Sequence, residues 1–249
     1  MTMLETTTVL KTFEQLRLAA QGFGPKRLGV VVADDDVALT AAACALELGI
    51  AQPVLLGDAA KTRAKAEDLG LHQLVAHGDL VATDTPAKTA TQLAAAGEVD
   101  ILLKGHLRTD ELLHAVLDKQ GGLRTGRLLS DVLLYEDVLA DERRLVGITD
   151  GGLNVAPNLE QKKQIVQNAI SVMHCLGIAR PKIALMSATE AISESLPSTV
   201  DAKALSEMAA SGQFGEADVF GPLALDCALL ESAARAKGPR TVLSRIGPR

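Results

Sequence analysis

Tryptophan is absent from this sequence, tyrosine occurs once and phenylalanine four times. An interior with so few aromatics must be filled by Ala, Val, Leu and Ile, and with 47% hydrophobic residues over 249 positions there is enough of them for a sizeable core. Cysteine is equally scarce. Cys44, Cys175 and Cys227 are odd in number, far apart and without a CxxC or CxxH neighbour, which excludes a disulfide framework and a cysteine zinc site. Cys175, beside Met173 and Leu176 in a helical pattern, reads as a small core residue. No apolar run of about 18 residues occurs, and the start, MTMLETTTVLKTFEQLRL, lacks a cationic segment followed by an apolar one. A cytoplasmic protein without a membrane partner is expected. Positive charge is also short: a net charge of -6 and a pI near 5.4 argue against a nucleic-acid partner, whose backbone needs clustered Lys and Arg.

What is present is an alternation of short apolar runs with helix-forming stretches. LGVVVA (28–33) suits a strand buried on both faces, and it runs into Asp34, Asp35 and Asp36, which can cap the Ala-rich helix 37–48 closed by Gly49. A second strand (53–56) and a helix ending at Gly70 follow, then LVAHGD (74–79) as a further strand, a helix at 86–96, the strand VDILLKG (99–105) and a helix at 110–120. Beyond these come strands at 145–149, 182–187 and 217–221, with helices at 159–176 and 201–211. Such βα alternation predicts a doubly wound, mostly parallel α/β sheet. The charged stretch from Glu136 to Arg144 suggests a boundary between domains 1–145 and 146–249.

In open α/β sheets ligands bind beyond the carboxyl ends of the strands, so polar residues there are the first candidates. Lys104 and Gly105 end a strand and precede Thr109 and Asp110, either of which could cap a helix. This unit could hold a phosphate at a helix N-terminus, or be a capped turn with a solvated lysine. GGLRTGRLLSD (121–131) gathers Arg124, Thr125, Gly126, Arg127 and Ser130. Two guanidinium forks suit phosphate or a diphosphate, though an ordinary loop with surface arginines fits as well. TDGGLNVAPNLEQK (149–162) adds Asp150 and Asn154 as polar residues of a crevice, though Pro157 and Asn158 could simply open the next helix. His106 and His114 form no metal-binding spacing, and neither GxSxG, GxxxxGK[ST] nor GxGxxG occurs.

Taken together, VVADDDVALTAAACALELGIAQPVLLGD, VDILLKGHLRTDELLHAVLDKQGGLRTGRLLSD, ITDGGLNVAPNLEQKKQIVQNAI, KIALMSATEAISESLPSTVDA and VFGPLALDCAL resemble the phosphate acetyl/butyryltransferase family over residues 28 to about 238. GLRTGRLLSD is more similar to its butyryltransferase branch, or to the related acyltransferase domains fused to enoyl-CoA hydratases, than to the longer acetyl-specific enzymes. The resemblance implies a two-domain α/β/α architecture with mostly parallel sheets and a cleft between domains, assembled as a homodimer or larger homo-oligomer. The implied reaction is reversible transfer of a short acyl group between coenzyme A and inorganic phosphate. Both are substrates, with no tightly bound cofactor and no metal. Phosphate is its own nucleophile, so such an enzyme needs cations and orientation more than a Ser or Cys nucleophile. Lys104, Thr109, Arg124 and Arg127 would then contact phosphate or coenzyme A, with Gly105, Thr125, Gly126 and Ser130 beside them.

Family members continue past the position of Lys237 and Gly238 with a segment like SPVAGxADxLLVPDxxAGNxLYK, then a strand, a Ser-Arg pair and a nearby Asp. Residues 239–249 look unrelated to it, so the second domain is expected to be incomplete, as after a frameshift or early stop. Ser244 and Arg245 are the only catalytic candidates that imitate the Ser-Arg pair. Two other readings stay open: an impaired remnant that binds coenzyme A or a partner, and an oxidoreductase like the isocitrate and isopropylmalate dehydrogenases, although their paired metal-binding Asp motif is missing.

Overall fold

The computed structural model describes residues 8–121, 123–138 and 142–237, so Ser244 and Arg245 lie outside the described residues. The chain divides into two compact units. One comprises Arg17–Arg127, and the other joins the residues before Arg17 to those from Leu128 onward.

The Arg17–Arg127 unit is built on four parallel strands, β1 (Lys26–Val31), β2 (Ala51–Gly57), β3 (Asp79–Ala82) and β4 (Ile101–Lys104), in the spatial order β3-β2-β1-β4. α1 (Phe13–Gly22) leads into it. α2 (Asp36–Glu47), α3 (Ala59–Asp68) and α4 (His72–His77) follow β1 and β2, while α5 (Pro86–Ala95) and α6 (Thr109–Val116) follow β3 and β4. β1 is apolar on both faces because both are covered. Leu28 and Val30 join one cluster with Ala38, Leu39, Ala42 and Leu74, and Val31 joins another with Val54, Leu56, Ala87 and Ala90. Each fully buried Val or Leu contributes about 1.5–3 kcal/mol by leaving water. The cap of α2 is Asp35, whose carboxylate accepts the Ala38 N–H at 2.8 Å, and Asp58 caps α3 in the same way.

The second unit holds an antiparallel pair, β5 (Leu133–Asp137) with β6 (Arg144–Ile148), and a parallel pair, β7 (Lys182–Met186) with β8 (Asp218–Leu223). α7 (Leu159–Cys175) and α8 (Pro197–Ala210) pack with the parallel pair through Val166, Ile170, Leu205, Phe214 and Val219, and α7 meets β6 where Met173 packs on Leu145. The short helices α9 (Leu225–Leu229) and α10 (Glu231–Ala236) complete it. α7 opens with a reciprocal cap in which Asn158 and Gln161 each bond the other's backbone.

Several expectations are corrected. LVAHGD is not a strand: Leu74 is fully buried from helix α4, and the strand starts only at Asp79, because two or three apolar residues satisfy either periodicity. Of the charged stretch expected at the domain boundary, Glu136 and Asp137 belong to β5 and Arg144 to β6. Arg144 stands opposite Asp137 and bonds its carboxylate at 2.9 and 3.0 Å, a cross-strand pairing of opposite charges, while the compact units divide at Leu128. Cys175 is exposed at the end of α7, because Met173 and Leu176 take the buried positions.

Candidate functional site

Within the Arg17–Arg127 unit the chain goes from β1 to β2 on one side and places β4 on the other, so the strand order reverses between β1 and β4. That reversal opens a crevice at the carboxyl ends. Val31 and Lys104 face each other there, at the ends of the two strands. The N–H of Gly105 donates to Val31 O at 2.8 Å and that of His106 to Val32 O at 2.9 Å, so the two chains stay in contact past the sheet. A side chain at 105 is impossible without movement, since a Cβ would lie 2.0 Å from Val32 O. Val32 itself has φ +57, a left-handed conformation that a β-branched residue adopts only when its surroundings impose it. Strain of this kind accumulates at functional sites, and here it sits at the switch point.

The Lys104 ammonium donates to Leu107 O at 3.0 Å and to Gly105 O at 3.4 Å and closes the 105–107 turn while staying exposed. Its third N–H is available to an anion. The helix beyond is less suited to one than expected. The cap position of α6 is Arg108, with no side-chain cap bond, and Thr109 is already inside the helix, so neither Thr109 nor Asp110 is the cap. Asp110 and Glu111 occupy the first turn and satisfy the dipole, and Arg108 pairs with Asp110 at 3.0 Å. Arg124, Thr125, Gly126 and Arg127 are all exposed. Gly126 has φ +80, which favours glycine, and Thr125 Oγ1 accepts the Arg127 N–H at 3.4 Å.

The other candidates belong to the second unit, where the residues before β5 meet those after β6. Asp150 Oδ1 accepts the N–H groups of Gly152, Leu153 and Asn154 at 3.0, 2.8 and 3.3 Å, and Asn154 Nδ2 donates to Asp150 Oδ2 and to Leu129 O at 3.0 Å. Burial pushes the Asp150 carboxyl up, but these donors outweigh it and hold the group below its ordinary value. Asp150 and Asn154 therefore shape the loop. Asp131 Oδ1 ties in Gly151 N at 2.7 Å. Ser130 is held by Asn168 of α7, and neither Asn168 nor its neighbour Gln164 stands out in the sequence, since both read as polar positions of an amphipathic helix.

A further cluster was not anticipated. One ligand atom each from Glu190, Asp226 and Cys227 lie within 4.8 Å of one another, but the Lys237 ammonium already bonds Glu190 at 3.3 Å and Asp226 at 3.2 Å and takes the cation position. The Cys227 thiol and then the backbone N–H of Glu190 itself, with smaller help from Lys237 and the Ala224 N–H, draw the Glu190 carboxyl down to about 2 against its burial. Along the outer edge of β8 runs a pocket of about 720 Å³ lined by Arg180, Lys203, Ser206, Phe220, Pro222 and Lys237. Ser206 Oγ bonds both the N–H and the C=O of Gly221, so part of that edge is satisfied by a side chain.

A family model for phosphate acetyl/butaryl transferases matches residues 79–245. The chain belongs to the phosphate acetyl/butyryl transferase family. It is 37% identical to the phosphate butyryltransferase of Clostridium acetobutylicum over 92% of this chain and 76% of that one. It is 40% identical to the phosphate acetyltransferase of Rickettsia felis, of which it spans 65%. Among solved structures, a branched-chain phosphotransacylase from Enterococcus faecalis V583 superposes with a TM-score of 0.68 at 28% identity, covering 85% of this chain and 73% of that one. These phosphate acyltransferase relatives favour the transferase reading over the dehydrogenase one. No helix among the described residues of this family member is long and apolar enough to cross a membrane.

Proposed function

We propose that this chain transfers a short acyl group reversibly between coenzyme A and inorganic phosphate, phosphate attacking the thioester directly. The observation that carries the reading furthest is the switch-point junction, where a cation, Lys104, stands at a strand end whose next residue must be glycine and whose neighbour Val32 is strained. Such a place suits a small anion held by a charge and by close backbone approach. Direct attack also agrees with the hydrogen bonding, because among the described residues no serine or cysteine is bonded to a histidine that could activate it.

In this reading Lys104 with the Gly105 turn binds phosphate, and Arg124 and Arg127 contact anionic groups of coenzyme A, Thr125 and Gly126 shaping their loop. Thr109 supports the helix start, Ser130 contacts the acyl-CoA, and Asp150 and Asn154 hold the adjoining loop. The enzyme works in the cytoplasm as a homo-oligomer on these small molecules. Thiol release from acetyl-CoA and butyryl-CoA, with and without phosphate, tests the activity. Strict phosphate dependence with formation of acyl phosphate is expected. Equal release without phosphate means a thioesterase and overturns the proposal.

A further inference from the structure

The amide of Asn168, in the middle of α7, makes two bonds through one nitrogen: Nδ2 donates to Leu128 O at 2.9 Å and to Ser130 Oγ at 2.8 Å. One turn earlier, Gln164 Oε1 accepts the Leu128 N–H at 2.9 Å. A carbonyl oxygen only accepts, so the Leu128 contact decides which terminal atom of Asn168 is the nitrogen. That nitrogen has only hydrogens to offer, and Ser130 Oγ must therefore accept. A hydroxyl that accepts from an amide keeps its own proton for another acceptor, and among the described residues Ser130 has none. The nearby loops carry the Asp131 and Asp150 carboxylates, both engaged by backbone N–H groups. Ser130 and Asn168 are both uncharged, and among the described residues no Lys or Arg is bonded to the Ser130 hydroxyl, so the pair presents one neutral donor suited to a neutral carbonyl acceptor.

We propose that Asn168 is a positioning residue: it sets the polarity of the Ser130 hydroxyl so that its proton is donated to a neutral carbonyl oxygen of the acyl-CoA, either the thioester or an amide of the pantetheine arm. The inference rests on the acyl-CoA reading above and assigns Ser130 a role distinct from the phosphate contacts. The thioester source would strengthen as charge develops on that oxygen and so act on kcat, whereas an amide contact, equal in ground and transition states, would act on KM.

The test compares the full chain with Ser130→Ala, Asn168→Asp and the double variant, measuring kcat, KM for butyryl-CoA and the Kd of coenzyme A, with thermal melts to confirm folding. Asn168→Asp keeps the shape but offers only acceptors, so the Ser130 proton turns back to it. Each single variant should lose about tenfold or more, the scale of one donor to a reacting or binding oxygen, and the double no more than about threefold beyond either single. Loss in kcat alone assigns the thioester. Loss in KM together with a weaker coenzyme A Kd assigns the pantetheine amide. Ser130→Thr, which keeps the hydroxyl, should recover most of the loss. Unchanged kinetics in Ser130→Ala, or additive losses in the double variant, overturn the proposal. Should the wild-type chain bind coenzyme A yet show no phosphate-dependent transfer, the transferase reading fails alone, and the Kd series decides this one: parallel weakening supports the amide contact, and equal Kd values overturn it. A chain that neither transfers nor binds coenzyme A overturns both.

Discussion

Replacing Gly105 with alanine tests whether the junction of β1 and β4 is as tight as its geometry states. The added Cβ would meet Val32 O at 2.0 Å, Val31 O at 2.8 Å and Val32 C at 2.9 Å, all backbone atoms that no rotamer change can move. The strands must separate past Val31, which costs the Gly105 and His106 hydrogen bonds to Val31 O and Val32 O. Two such bonds are worth about 0.5–1.5 kcal/mol each and overpacking a filled site about 1–3 kcal/mol, giving a loss of roughly 2–6 kcal/mol. Against a typical domain stability of about 5–15 kcal/mol that is a large fraction, and the melting temperature should fall by about 4 °C or more. Gly22→Ala is the control: it lies at the end of α1 with nothing within 4 Å of its Cβ position, so its melting temperature should stay level or rise slightly. Thermal and urea unfolding of both variants provide the comparison. A Gly105→Ala chain that melts within about 2 °C of wild type would refute the argued tightness of this junction.

Lys104→Met removes the exposed ammonium and its bonds to Gly105 O and Leu107 O, so KM for phosphate should rise about tenfold or more with little change in melting temperature; unchanged phosphate kinetics would detach Lys104 from the site. Arg124→Lys keeps the charge and loses the planar fork, and KM for the acyl-CoA should rise about tenfold, whereas unaltered values would return Arg124 to the solvated surface. Asp150→Asn should destabilise its loop by about 1–3 kcal/mol at pH 7, the scale of hydrogen bonds to a charged acceptor. Because the folded Asp150 carboxyl titrates below its ordinary value, its stabilisation is present above the unfolded pKa near 4 and fades as pH falls through the folded one. The difference between wild type and Asp150→Asn in urea unfolding should therefore shrink from pH 5 toward pH 2, and a difference that grows on acidification would contradict the assigned hydrogen bonds.

Local chemistry determined much of what the sequence shows by itself. The apolar run from Leu28 reads as a strand covered on both sides, which β1 follows as far as Val31; Asp35 and Asn158 cap helices through their own side chains, and the glycines after residues 48, 69 and 96 end helices where φ must be positive. Strand-end positions also located Lys104 and Gly105, since the crevice of an α/β sheet follows from its connectivity. Tertiary structure decided the rest. Whether LVAHGD is helix or strand depended on which neighbours buried Leu74, and Asp137 and Arg144 meet only because packing sets their strands side by side. The backbone approach that forbids a side chain at 105 arises only when Val32 is brought within reach from 73 positions earlier in the chain. Likewise Asp150 and Asn154 are visible as polar residues, but their occupation by loop N–H groups, and the polarity that Asn168 imposes on Ser130, exist only once α7 lies against the residues before β5. A hydrogen bond between side chains 38 residues apart leaves no periodicity in the sequence, because its partners are selected by packing and not by spacing.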